Sequence, residues 1–407
     1  MKRSRRGIRS FYDITRGDVD VRRPVVTLFS GGLDSTYLLY RLVQAGAAQV
    51  HALSVGVGGD ERPEHIRRIA DQLGVRLHLS DRRAAFVEEF VKPAITAHAV
   101  YLDTHPVSSS LSRPLIARTA VELARELDAG TILHTANRSQ NTLRRLDGAL
   151  EQLGFEGHFG TPYDLDPVDR EQKIKELRAI GLDEMAERSA SGDSNLWCRE
   201  FESGILDDPE DHAVPESYYR WSAYRQVPHP EELEVTFRAG LPVAVDGREL
   251  PLAEAIELLN QRVGAHGLGR YTGLEHLAAG VKVLEVREMP AAWLLLASRR
   301  HLETAVLDAE ALREKMHVEQ VWVREALEGR WFGGLRTACQ AFITELVAPV
   351  TGSVRWRLAG GRTGTAAIVA ADPRYVRDRE GWEQASIREE LSRLGGAADS
   401  VNRSGQW

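Results

Sequence analysis

The chain has 407 residues, with 52 basic against 59 acidic side chains and a formal charge of −7. Hydrophobic residues at 43% and charged residues at 27% exclude a disordered or low-complexity chain, and the length asks for two domains. The acidic total argues against broad nucleic-acid binding, and two cysteines, Cys198 and Cys339, are too few for a disulfide scaffold or, alone, a structural zinc site.

Residues 1–22 read as an N-terminal extension, basic at Met1–Arg6 but with no apolar segment behind it. Val25–Phe29 is a short apolar run ending in glycines, as a buried strand does. Asp34–Ala45 places Leu38, Leu39, Leu42 and Val43 on one side of a helix that stops at Gly46. Val50–Val55 is the next strand. Glu64–Leu73 is a helix closed by Gly74, and Val75, Leu77 and Leu79 alternate as a third strand. Leu115–Leu127 reads as a helix and Thr131–His134 as a strand. This alternation predicts an α/β domain over 23–180, a parallel sheet with helices on both faces and a ligand beyond the strands' carboxyl ends. Beyond it, 189–194 is small and polar, and 207–212 is acidic and interrupted by proline; both read as loops near a domain junction. Strands at 234–237 and 354–358 mixed with helices at Leu252–Val263 and Gly334–Leu346 predict an α+β second domain over 181–380. Ile387–Leu394 is a short helix inside a tail of residues 381–407. The longest apolar run, 291–297, is too short to span a bilayer, so a soluble, cytoplasmic chain is expected.

The chemistry concentrates in Ser30-Gly-Gly-Leu-Asp-Ser-Thr36, between the first strand and the first helix. Leu28 and Phe29 lead into it. Gly31 and Gly32 let the backbone pass close to an anion and expose N–H groups as a nest. The helix behind adds its positive end, and Ser30, Ser35 and Thr36 add hydroxyls. Asp34 can cap the helix or face a metal carried by phosphates. A Gly-Gly turn with a Ser/Asp cap is common in itself; nest and helix dipole together favour phosphate binding. The absence of a Gly-Lys-Ser/Thr ending excludes a Walker loop.

This heptapeptide resembles the signature of the PP-loop ATP pyrophosphatases, which cleave ATP between its α and β phosphates. Further stretches resemble argininosuccinate synthases: Phe86–Ile95 with Tyr101 and Leu111–Arg118, Asn195–Pro209, His266–Arg270 with Glu275 and Glu288–Ala292, and finally Trp331–Leu335 and Val350–Val354. The resemblance runs from about Val25 to about Leu358. It implies that the ureido oxygen of citrulline attacks the α-phosphorus, diphosphate leaves, and the amine of aspartate then displaces AMP. It implies ATP with Mg²⁺ carried on the ATP phosphates, with no protein metal site assigned. It also implies small amino-acid-like substrates and a homo-oligomer, a tetramer whose C-terminal helices reach across subunits.

Carried across position by position, the resemblance assigns ATP to Leu28, Phe29, Ser30, Gly31, Gly32, Asp34, Ser35, Thr36, Val55 and Asn141. It assigns the amino-acid substrates to Tyr101, Ser109, Ser110, Arg113, Asn137, Asn141, Thr142, Arg145, Ser191, Glu200, Glu202, Glu275 and Arg287. Within these, Arg145 and Asn141 would hold a substrate carboxylate. Glu202 and Glu275 would face the substrate amine or the charged intermediate, and Asp34, Arg113 and Glu202 would act in catalysis.

The departures fall on the amino-acid side. The family's glycine-rich loop reads here His134-Thr-Ala-Asn-Arg-Ser-Gln-Asn-Thr142, without a glycine. Thr142 stands in place of the aspartate that grips the ammonium of substrate aspartate, and Asn137 in place of a threonine. Losing one charge-assisted hydrogen bond of about 1.5–3 kcal/mol weakens that substrate roughly tenfold to a hundredfold. Glu200 replaces a serine and Arg287 a tyrosine. The two new charges either pair across the pocket, or each binds a new substrate group, or both drift on the rim in water. The expected activity is therefore an ATP-dependent C–N ligase with a changed carbonyl substrate, amine donor or both. The alternatives are an authentic argininosuccinate synthase and a non-catalytic binding protein. A PP-loop enzyme acting on RNA or a nucleobase is disfavoured by the acidic total and by the lack of a Cys-x-x-Cys pair.

Overall fold

The computed structural model describes residues 7–15, 20, 22–182, 191–223, 228–277 and 280–403; the side chains of 191 and 395–403 lie outside that description, as does half of the expected N-terminal extension. A short helix α1 (Phe11–Thr15) precedes β1 (Val25–Leu28), which runs through the phosphate loop into α2 (Leu33–Gln44). Then come β2 (Val50–Gly56), α3 (Pro63–Leu73) and β3 (Arg76–Asp81). A helical run follows as α4 (Arg83–Phe86), a π-helical turn at Val87–Val91, and α5 (Lys92–Thr96). The hairpin of β4 (Val100–Tyr101) and β5 (His105–Pro106) leads to α6 (Ser109–Glu126). The unit closes with β6 (Thr131–Leu133), α7 (Thr142–Gln152), β7 (His158–Gly160) and α8 (Arg170–Arg178).

The sheet order is β3-β2-β1-β6-β7, and every pair is parallel. β1 is buried on both faces because its side chains alternate: Val25 packs with Leu38, Leu39 and Ile66 of α2 and α3, while Val26 packs with Ala117, Val121 and Ala149 of α6 and α7. Val43, expected inward, faces solvent. The chain steps from β1 to β2 on one side and to β6 on the other. The loops after β1 and β6 therefore open at one switch point, where ligands of such sheets sit.

α6 starts at Ser109, not at the expected Leu115. Ser-Arg-Pro reads as a helix stop, but Ser109, Ser110 and Ser112 are small and buried, and Pro114 inside the helix costs one ladder bond that this packing offsets.

The second region holds β8 (Ser191–Ser194), β9 (Arg199–Glu202), β10 (Glu231–Arg238), β11 (Leu241–Val245) and β12 (Arg248–Glu249). It continues with α9 (Leu252–Ala265), β13 (Arg270–His276), β14 (Lys282–Glu288), α10 (Pro290–Val306) and α11 (Ala309–Leu327). α12 (Gly334–Val347), β15 (Gly352–Ala359), β16 (Arg362–Ala370) and α13 (Arg379–Arg403) complete it. Two antiparallel sheets result, β12-β11-β10-β15-β16 and β13-β14-β9-β8. The stretch 191–194, expected as loop, is edge strand β8, held by pairing with β9 rather than by its own propensity. α13 has 25 residues, far longer than the short helix expected at Ile387–Leu394.

One core runs through both regions. Phe86, Phe90, Leu111 and Leu115 share a buried cluster with Trp197, Leu259, Leu295, Trp322 and Trp331, and the Phe90 ring stacks on Trp331 at 4.8 Å. Beneath it, Arg299, Glu303, Lys315 and Glu319 form a buried ionic network between α10 and α11, and Arg299 also donates to the carbonyls of Ile95 and Thr96 at 2.6 and 2.5 Å. Among the described residues no helix is long and apolar enough to cross a membrane.

Candidate active site

The phosphate loop has the shape its composition requires. Gly31 adopts φ +71°, and a Cβ there would meet Ile66 at 3.0 Å and His65 at 3.3 Å. Gly32 starts α2 in extended conformation, and no side chain caps the helix. Ser35 Oγ donates to the Gly32 carbonyl at 3.1 Å and lies 3.2 Å from Ser30 Oγ. Thr36 Oγ1 is buried without a hydrogen-bond partner among the described residues. An uncapped helix start, two glycines and an unsatisfied hydroxyl fit a bound phosphate. Of the two roles expected for Asp34, the structure excludes the helix cap. The Asp34 carboxylate pairs with Lys173 Nζ of α8 at 2.7 Å, and its carbonyl accepts from the Tyr163 hydroxyl at 2.9 Å. Among the described residues no group of three or more His, Cys, Asp or Glu side chains could hold a metal ion. Leu28, Phe29 and Val55 line the carboxyl ends of β1 and β2, with Phe29 buried and Leu28 and Val55 half-buried.

Opposite lies the four-stranded sheet. Its period of two puts Asp193, Glu200, Glu202, Glu275, Glu285 and Arg287 on one face, since Glu200 pairs in register with Arg287 and Asp193, and Glu202 with Glu285 and Ser191. Like charges directly opposed repel; cations from both regions compensate. Arg287, 3% exposed, ion-pairs with Glu200 and Glu285 and lies 3.8 Å from Glu275. Arg145 of α7, equally buried, donates to Ser109 Oγ at 2.7 Å and Glu275 at 3.4 Å. Arg113 of α6 pairs with Asp193 at 2.6 Å. Burial pushes the Glu200 carboxyl up, but Arg287, Arg145 and Arg113 pull it below its usual range. Burial lifts Glu285 well above that range; Arg287 pulls against the lift, and Glu200, Glu275 and Glu202 add to it. Burial likewise raises Glu202, which accepts from Gln140 Nε2 at 3.2 Å and has no cation within ion-pair distance among the described residues. The His105 imidazole, packed on Tyr271, is driven down to about 2 by burial and then by Arg287 and Arg145, so it stays neutral. Of the three readings of Glu200 and Arg287, the structure has them paired and buried; a solvated rim is overturned.

The loop after β6 brings the regions together. Asn141 Nδ2 donates to the His276 carbonyl at 2.9 Å, and the Tyr101 hydroxyl lies 2.9 Å from His276 Nδ1. Asn137 folds back on its own loop, accepting from Ser139 N at 3.0 Å and Ser139 Oγ at 2.6 Å. Thr142 opens α7. Ser110 Oγ is buried without a partner among the described residues. Arg145 and Asn141, expected to hold a substrate carboxylate, are engaged by the protein itself. The Ser191 side chain is outside the described residues. Glu285, Gln140, His105 and Lys173 join the site without having been expected. Glu285 had a signal, the alternation Glu285-Val286-Arg287, but only strand register shows what it opposes.

Two family models match the chain: the arginosuccinate synthase N-terminal HUP domain over 24–175 and the C-terminal domain over 190–379. A protein of Rubrobacter xylanophilus named argininosuccinate synthase is 34% identical over 377 residues, 92% of each chain. One of Thermosynechococcus vestitus with the same name is 33% identical over 356 residues, 86% of this chain and 88% of that one. Among solved structures, the NMN synthetase of Francisella tularensis overlaps 44% of this chain and 74% of its own at 12% identity and a TM-score of 0.31. With matched models spanning both regions and relatives at this identity along nearly its whole length, the chain belongs to the argininosuccinate synthase family.

Proposed function

We propose that the protein is an ATP-dependent C–N ligase that adenylates a ureido or other carbonyl oxygen and joins the activated carbon to an amine, on substrates other than the citrulline and aspartate pair. The phosphate loop would hold the triphosphate with Mg²⁺ carried on it. ATP supplies the adenylyl group, and the chain's own residues bind, orient and screen. The observation that carries the altered-substrate reading is the buried pairing of Arg287 with Glu200 and Glu285, which fills the sheet face with charge where the family pattern has a serine and a tyrosine. Four glutamates (Glu200, Glu202, Glu275, Glu285) share this face with Arg145 and Arg287, and a substrate or intermediate with positive charge would favour the ionised form of Glu202, which has no cation within ion-pair distance among the described residues. Thr142 offers no charge to an ammonium.

A second reading, an authentic argininosuccinate synthase, is favoured by the names of the relatives. Diphosphate–ATP exchange screened over ureido, amide and carboxylate compounds tests adenylation, and consumption of ATP to ADP and phosphate would refute it. Incubation with ATP, Mg²⁺, citrulline and aspartate separates the two readings: robust argininosuccinate formation removes the altered-substrate claim. We further propose a homo-oligomer in which a second copy covers α13.

A further inference from the structure

The charged face of the four-stranded sheet has a closed half and an open half. Glu200, Glu275, Glu285, Arg145 and Arg287 are all buried, whereas Glu202 and Asp193 are only half-buried. In the closed half every guanidinium nitrogen already has a protein acceptor. Arg287 gives Nε and Nη2 to Glu285 and Nη1 to Glu200. Arg145 gives Nη1 to Ser109 Oγ, Nη2 to Glu275 and Nε to the Leu327 carbonyl. In the open half Arg113 gives Nη2 to Asp193 and Nη1 to Ser112 Oγ. A carboxylate entering here therefore meets one of two obstacles. Breaking a buried pair leaves Glu200, Glu275 or Glu285 without its cation. Staying in the open half sets it against Glu202 and Asp193, like charge against like.

A cation meets neither obstacle. Five carboxyl groups (Asp193, Glu200, Glu202, Glu275, Glu285) share three guanidiniums (Arg113, Arg145, Arg287), so full ionisation leaves two negative charges uncompensated. Burial favours a proton on Glu285 inside the closed half. Glu202 is the carboxyl of the open half with no cation within ion-pair distance among the described residues, and Gln140 Nε2 is its one donor there. A bound cation can take the place of a proton on it. Ser110 Oγ, next to Ser109, is buried with no hydrogen-bond partner among the described residues, a neutral polar atom left for a ligand. We propose that the carbonyl substrate carries no carboxylate and presents a protonated amine to Glu202. This rests on the ligase reading above and names the class of its first substrate: a ureido or related carbonyl compound bearing a cation at the far end.

The test titrates the full chain by calorimetry with citrulline, with ureidobutylamine (citrulline without its carboxylate) and with ureidopentanoate (citrulline without its amine). Ureidobutylamine is expected to bind at least about tenfold more tightly than either carboxylate compound, and E202Q is expected to raise its Kd by a similar factor. Equal or tighter binding of citrulline or ureidopentanoate, no binding of ureidobutylamine, or an unchanged Kd in E202Q overturns the proposal. Diphosphate–ATP exchange by the wild type is measured beside it with the same compounds. Binding of ureidobutylamine without exchange on any carbonyl compound refutes the ligase reading and the substrate assignment with it, whereas exchange that prefers a carboxylate compound refutes the cation assignment alone.

Discussion

Arg287 lies buried between two buried glutamates, and removing it would leave Glu200 and Glu285 unpaired beside Glu202 and Glu275. R287Y is therefore expected to cost about 3–5 kcal/mol in urea unfolding, the range for breaking a buried ion pair from one side. E200S is expected to cost distinctly less, because Arg287 keeps Glu285; equal losses would contradict the arrangement. Glu202 makes a separate prediction. Burial raises its carboxyl pKa, so the folded chain prefers it protonated. Stability from this group is complete below the ordinary carboxylate pKa and is lost as pH rises from there through the raised value. E202Q escapes that loss: its urea midpoint should exceed the wild type's at pH 8 and converge with it near pH 4, and a constant gap would refute the assignment. Glu200 and Arg287 were legible in the sequence as departures from a family pattern. Glu285 and Gln140 were not, because their meaning depends on which strand and which loop they oppose.

Elements meet through glycines that no periodicity marks. Gly148 in α7 lies against the turn after α11, where an added Cβ would stand 2.6 Å from the Gly329 carbonyl oxygen. That contact lets Arg145 Nε reach the Leu327 carbonyl at 3.3 Å. An exposed Gly→Ala change inside a helix stabilises by about 0.5–1 kcal/mol. G148A is expected to do the opposite, lowering the thermal midpoint by pushing α7 off this turn; a raised midpoint would show the contact to be loose. The parallel sheet was legible because its strands and helices carry their burial in their own spacing. The start of α6 and strand β8 were hidden, one behind a proline that tertiary packing tolerates and the other in a Ser-Gly-Asp-Ser stretch that forms a strand only by pairing with β9.

Across the whole molecule, the two regions share one core, and α13 leaves it. Trp382, Ile387, Leu391 and Leu394 are each more than half exposed on this helix. Such a row on a long helix is expected to be covered by another copy of the chain. L391D is expected to lower the mass seen by light scattering, and an unchanged mass would place the subunit contact elsewhere. The tail was legible as helical from its pattern, but its length was not, since polar residues on both sides continue the helix without a core to signal them.

The unequal support around Arg287 also carries a history. An arginine placed at 287 while 200 is serine has Glu285, two residues along β14, as a counter-ion at once. A glutamate placed at 200 while 287 is tyrosine joins Glu202, Glu275 and Glu285 with no ion-pair partner among the described residues, only the more distant fields of Arg145 and Arg113. The tolerable route to this pocket is arginine before glutamate, and reconstructed intermediates in the reverse order would be the ones that fail to accumulate as folded protein.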